Sequence, residues 1–136
     1  NLARKFLRNI KLDYAHGTGH GVGYFLNVHE GPQALSKKNT EKLRDGMILS
    51  NEPGYYKNGK FGIRIENLVR IKKFKKSKIF DNLTMVPIDK SLIDKDILKK
   101  DEINWLNKYH KKVFMNLKKF MNKIEFEELK RSCSKI

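Results

Sequence analysis

Leu2, Ala3, Phe6, Leu7 and Ile10 recur at helical spacing with basic residues on the other face, which predicts the last turns of a helix over residues 2–10. The period then breaks. Residues 16–32 hold five glycines, three histidines and Pro32 around the apolar stretch Val22-Gly23-Tyr24-Phe25-Leu26. Glycine at that density allows positive φ and a close backbone approach to a ligand. Met47 to Glu52 reads as a short strand stopped by Pro53-Gly54. Phe61 to Phe74 reads as one longer strand with Phe61, Ile63, Ile65, Val69 and Ile71 on an apolar face, so Arg64 and Glu66 project together from the opposite face. Leu83 to Val86, before Pro87, is a third strand candidate. From Asp101 to Met121 the apolar residues Ile103, Leu106, Val113, Phe114, Leu117 and Met121 keep helical spacing, with Asp101 as the N-cap, and a shorter helix is predicted over 125–131. Strands in the middle and helices at both ends make the class α+β, and no internal repeat is present.

A length of 136 residues suits one modest domain. No run approaches the ~18 apolar residues of a membrane-spanning helix. The patterned apolar clusters argue against wholesale disorder. Cys133 is the only cysteine, which excludes an internal disulfide framework and suits a reducing compartment. The formal net charge is +15, and residues 69–136 carry 19 Lys and Arg against 9 Asp and Glu. The densest run is Lys72-Lys73-Phe74-Lys75-Lys76-Ser77-Lys78. Such a run either binds phosphates or is a solvated loop at a strand end, and the second reading is favoured because no RNA-binding or finger signature accompanies it. Neither nucleic acid nor membrane is expected as a partner. The chain begins at Asn1 rather than Met, which leaves open an upstream segment and any targeting signal.

Three pieces carry candidate chemistry: His16-Gly17-Thr18-Gly19-His20-Gly21, His29-Glu30-Gly31-Pro32, and the carboxylates of Glu52 and Glu66. Imidazole nitrogen with carboxylate oxygen suits borderline or hard divalent ions such as Mn²⁺ or Zn²⁺. His16 and His20 have the spacing of a helical zinc pair, but the glycines between them oppose a helix and the zincin glutamate is absent. Each residue also has an ordinary reading. His20 alone suits a hydrogen-bonded surface histidine, Glu66 an ion partner of Arg64 or a neighbouring lysine, and Glu52 a turn residue. Their concentration between residues 16 and 66 favours a hydrolytic metal site over those separate roles.

The segment His16-Gly-Thr-Gly-His20-Gly-Val-Gly-Tyr-Phe-Leu-Asn-Val-His29-Glu-Gly-Pro32 resembles the histidine loop of the Xaa-Pro aminopeptidases, also called aminopeptidase P. Asn51-Glu52-Pro-Gly-Tyr-Tyr56 and Phe61-Gly-Ile-Arg-Ile-Glu66-Asn-Leu-Val69 resemble that family's two carboxylate motifs in the same order. Asn104-Trp105-Leu106-Asn107 with Tyr109-His110 resembles the C-terminal helix of its eukaryotic cytosolic branch.

The resemblance implies a pita-bread fold and a metallo-exopeptidase that removes the first residue from peptides with proline second. It implies two divalent ions, Mn²⁺ foremost with Zn²⁺ or Co²⁺ as alternatives, a homodimer and a cytoplasmic location. It makes His20, Glu52 and Glu66 metal ligands. Glu52 would also handle the proton of the attacking water, and His16 and His29 would bind substrate and stabilise the tetrahedral intermediate. Arg64 would orient the site from behind the metals. The family also requires two aspartates and a further histidine from before the histidine loop, where this chain has only Asp13. Residues 1–136 therefore read as the C-terminal half of a catalytic domain, with a helical region over about 93–136. Such a half is expected to expose apolar surface and to be inactive alone. The alternatives are a prolidase-type dipeptidase and a non-catalytic pita-bread interaction module.

Overall fold

The computed structural model describes residues 2–25 and 27–136; Asn1, and Leu26 of the apolar stretch 22–26, lie outside the described residues. The chain divides into two compact units, Asn1–Thr84 and Met85–Ile136.

In the first unit a 3-10 turn, Leu2–Arg4, runs into helix α1, Lys5–Asn9. Arg4 and Arg8 both grip Asp13, at 2.6 and 2.7 Å, and fasten α1 to the chain entering the histidine loop. The Arg8 hydrogen bond is the main reason that the Asp13 carboxyl is held down at about 2. Strands β1 (Gly19–His20) and β2 (Ala34–Leu35) form one antiparallel pair. Strands β3 (Ile48–Asn51), β6 (Asn67–Phe74) and β7 (Ser77–Asn82) form an antiparallel sheet in the order β3-β6-β7. Strands β4 (Gly54–Lys57) and β5 (Phe61–Arg64) form a separate hairpin. Leu49, Val69 and Ile71 make the buried core, with Leu35, Leu43 and Met47 packed on it. All three buried residues come from β3 and β6, so the site elements hang on that strand pair.

The predicted strand over 61–74 is two strands in different sheets, interrupted at Ile65-Glu66. Its apolar face is buried only at Val69 and Ile71, while Phe61, Ile63 and Ile65 are 43–49% exposed. Leu83 to Val86 is not a strand. The lysine-rich run is a β6–β7 hairpin rather than a loop, turning at Lys75-Lys76 with Lys75 at φ 54°. Leu2, Phe6, Tyr24 and Phe25 are 63–90% exposed.

The second unit packs helix α2, Lys100–Leu117, against helix α3, Lys123–Ser132. Leu106, Tyr109, His110 and Val113 recur at i, i+3, i+4 and i+7 and are the buried residues of α2. The N-cap is Lys99, not Asp101: the Glu102 carboxylate accepts from the Lys99 N–H at 2.8 Å, which leaves Asp101 in the first turn facing the helix dipole. A 3-10 turn, Lys118–Phe120, follows Leu117, so the helical run ends before Met121. Asn122 caps α3, accepting from Ile124 N and Glu125 N.

One turn of α2 holds the incoming segment by two side-chain bonds. The Tyr109 hydroxyl donates to the Val86 carbonyl at 2.8 Å, and His110 Nε2 accepts from the Ile88 N–H at 3.1 Å. His110 is fully buried, and its Nδ1 has no hydrogen-bond partner among the described residues. Burial first, then the Lys90 ammonium, push the imidazole below its ordinary 6.5. The unfolded chain therefore takes up this proton first as pH falls. The stabilisation is complete above pH 6.5 and is lost as pH drops from 6.5 toward the folded value. Thermal unfolding from about pH 8 to about pH 5 is expected to show Tm falling below 6.5, with a shallower slope in His110→Leu; an unchanged slope overturns the assignment.

Candidate metal centre

Three backbone segments meet at the site. Strand β1 brings His20, the end of β3 brings Glu52, and the β4–β5 hairpin brings Tyr56 and Arg64. Strand β1 lies along β3: Glu52 N–H donates to the Thr18 carbonyl at 2.8 Å, Val22 N–H donates to that of Ile48 at 3.3 Å, and Gly21 bridges Leu49.

His20 Nδ1 lies 3.0 Å from the Gly21 carbonyl. A carbonyl only accepts, so Nδ1 carries a proton, and in the neutral imidazole Nε2 then presents its lone pair. That lone pair faces Glu52 Oε1 at 3.3 Å. Two acceptors at this distance repel unless a proton or a metal cation lies between them, and an imidazole beside a carboxylate is a donor set that fits a divalent metal. Glu52 is buried at 8% exposure; Oε1 accepts from the Ser50 hydroxyl at 2.9 Å and Oε2 meets Arg64 at 3.2 Å. The His29 ring stacks on that of His20 with centroids 4.1 Å apart.

Arg64 lies between two carboxylates, 3.2 Å from Glu52 and 3.7 Å from Glu66. Its Nε–H donates to the Tyr56 hydroxyl at 2.7 Å. That bond first, then the Glu52 and Glu66 charges, outweigh partial desolvation and raise the guanidinium above its ordinary value. Tyr56 in turn lies 2.9 Å from His16 Nε2, while His16 Nδ1 is 2.7 Å from the Gly17 carbonyl. The directions follow from the two ends: Nδ1–H donates to Gly17, so Nε2 accepts from the Tyr56 O–H, which accepts from Arg64.

All six residues singled out in the sequence thus fall into one contact network: His29, His20, Glu52, Arg64 and Glu66, with His16 joined through Tyr56. Their closeness is uneven. Among the described residues no three His, Cys, Asp or Glu side chains converge into a metal-holding group, and the Arg64 guanidinium sits between Glu52 and Glu66. Asp13 is taken by Arg4 and Arg8.

Sequence reasoning missed Ser50 and Tyr56. Tyr56 had a readable signal. Gly54 and Gly62 share its face of the hairpin, and a Cβ at either would stand 2.5 and 2.8 Å from the tyrosine side chain, so the two glycines make room for its ring. Ser50 had none, since a serine in a strand is ordinary.

A family model described as metallopeptidase family M24 matches residues 1–73, and one for the C-terminal region of peptidase M24 matches residues 78–136. Xaa-Pro aminopeptidase 1 of Dictyostelium discoideum is 52% identical over 121 residues, covering 82% of this chain and 19% of that protein. A probable Xaa-Pro aminopeptidase P of Tuber melanosporum is 48% identical over 133 residues, covering 90% of this chain and 22% of that protein. The crystal structure of an X-prolyl aminopeptidase from Caenorhabditis elegans, described as a cytosolic enzyme with a di-nuclear active site, matches with a TM-score of 0.87 at 41% identity, over 98% of this chain and 23% of that one. The chain therefore spans 19–23% of the length of these relatives. The likeness bears out the α+β, pita-bread expectation. With the first model covering more than half of its residues and the second most of the remainder, the chain belongs to metallopeptidase family M24.

Proposed function

We propose that the protein carrying this chain is a metal-dependent exopeptidase that releases the N-terminal residue from peptides with proline at the second position. The observation that carries this reading is His20 Nε2 facing the buried Glu52 carboxylate at 3.3 Å. The names of the similar proteins support the same activity.

His20, Glu52 and Glu66 would hold two divalent ions, Mn²⁺ foremost and Zn²⁺ or Co²⁺ as alternatives, together with ligands from outside this chain. The chemistry such ions supply is Lewis acidity, which lowers the pKa of water and polarises a carbonyl. Glu52 would take the proton of the attacking water and return it to the leaving imide nitrogen of proline. Arg64 would hold the Glu52 and Glu66 carboxylates in place. His29 is exposed, and its nitrogens make no hydrogen bond among the described residues, so it is the imidazole ready to donate to the developing oxyanion. His16 would join it at the substrate once the Tyr56 hydroxyl turns from Nε2. The reading includes a cytoplasmic homodimer, and this chain alone would be inactive.

The prolidase alternative has weaker support: a prolidase from Pyrococcus horikoshii matches at a TM-score of 0.50 over 58% of this chain. The test is peptide hydrolysis by the full-length protein after chelation and reconstitution with Mn²⁺. Release of the first residue from an Xaa-Pro-Xaa tripeptide is expected, and chelation should abolish it. Cleavage confined to Xaa-Pro dipeptides overturns this in favour of a prolidase. Metal uptake without cleavage of either substrate points to a non-catalytic module.

A further inference from the structure

Ser50 is buried at 1% exposure, on the face of β3 that meets β1. A buried hydroxyl is tolerated only when its hydrogen bonds are made. Both of its partners belong to the site: Oγ accepts from the His20 N–H at 2.9 Å and donates to Glu52 Oε1 at 2.9 Å. In a regular antiparallel rung the His20 N–H would reach the Ser50 carbonyl, as Glu52 N–H reaches Thr18 O and Val22 N–H reaches Ile48 O on either side. Here the side chain accepts from that N–H and donates its own O–H to the carboxylate oxygen that faces the His20 ring. With Ser50 on Oε1 and Arg64 on Oε2, both carboxylate oxygens are fixed. The hydroxyl has spent its only proton and is shut away from solvent, which rules it out as a nucleophile.

We infer that Ser50 is a positioning residue of the metal centre, setting the distance and orientation of Glu52 relative to His20 by replacing one backbone rung with its hydroxyl. The inference rests on the metallopeptidase reading above. Groups that orient a ligand in this way typically account for about 10–100-fold in metal affinity.

The test uses the full-length protein, with Mn²⁺ affinity measured by chelator competition in the absence of substrate and kcat and KM measured separately. Ser50→Ala is expected to weaken Mn²⁺ binding by about 10–100-fold and lower kcat, with the peptide KM unchanged because Ser50 does not reach substrate. Ser50→Thr, which keeps the hydroxyl, should restore most of the affinity. Should the alanine variant not fold, Ser50→Cys keeps the volume with a weak donor and must show the same weakening. Wild-type affinity in Ser50→Ala, or in Ser50→Cys where the alanine variant does not fold, overturns the inference alone. Mn²⁺ failing to bind the wild-type protein overturns the metallopeptidase reading and this inference with it.

Discussion

Glu52→Gln in the full-length protein is expected to lower kcat for an Xaa-Pro-Xaa peptide by roughly 10³-fold, within the span that a positioned acid–base group contributes. The substitution keeps the side chain's shape and removes only its charge and basicity. In this site both matter, because Oε1 faces the His20 imidazole nitrogen at 3.3 Å and Oε2 faces a guanidinium at 3.2 Å. A neutral amide is also a poorer ligand for a divalent ion than a carboxylate, so Mn²⁺ affinity should fall alongside kcat. The metal-free variant should lose stability as well. An amide with its NH₂ toward His20 Nε2 takes away the acceptor of the buried Ser50 O–H, one with its oxygen there sets NH₂ against the Arg64 guanidinium, and either way the charge that pairs with Arg64 is gone. Tm of the metal-free protein is therefore expected to fall. Retention of more than about a tenth of wild-type kcat would remove Glu52 from the proton-transfer role.

How much of this was readable from residues alone depended on what each pattern could encode. Helix α2 was legible because Ile103, Leu106, Val113, Phe114 and Leu117 keep helical spacing through a segment of 18 residues, Lys100 to Leu117. The strand at Ile48–Asn51 was legible because Pro53-Gly54 closes it. The break between β5 and β6 was not. Two residues, Ile65 and Glu66, separate the strands, and an even gap preserves the odd–even alternation, so the pattern of one long strand survives although the sheet changes. The β4–β5 hairpin did have a cue in Asn58-Gly59, with Gly59 at φ 67°, which Pro53-Gly54 overshadowed. The β6–β7 turn had no such cue, since a lysine takes the positive φ there. Candidate ligands were legible as residue types in family-like motifs. Ser50 was not, because its part is defined by an atom 30 positions away in the chain, and Tyr56 left only the glycines on its face of the hairpin as a trace.

Gly19→Ala is expected to damage the site as severely as loss of a ligand, without touching any functional group. An added Cβ at Gly19 would lie 1.9 Å from the Ser50 carbonyl oxygen, 2.9 Å from its carbon and 3.2 Å from Leu35 Cδ1. The nearest obstacle is backbone of β3, a strand that supplies the buried core, which cannot swing aside as a side-chain tip would. Strand β1 must therefore lift from β3. That movement strains the Glu52–Thr18 backbone bond and the His20–Ser50 bond, which together set His20 against Glu52. Overpacking of this kind costs about 1–3 kcal/mol of stability. The effect on turnover should be larger, since displacing a reacting group by about 1 Å costs roughly 10²-fold in rate. Gly31→Ala is the matched comparison, because a Cβ there meets nothing within 4 Å. Steady-state kinetics and thermal melts of the two full-length variants separate the cases. Gly31→Ala should stay near wild type in both, and Gly19→Ala should lose most of its activity with a smaller loss of Tm. Wild-type turnover in Gly19→Ala would mean that β1 has room to move without disturbing the His20–Glu52 pair, and the account of how this strand contact builds the site would be wrong.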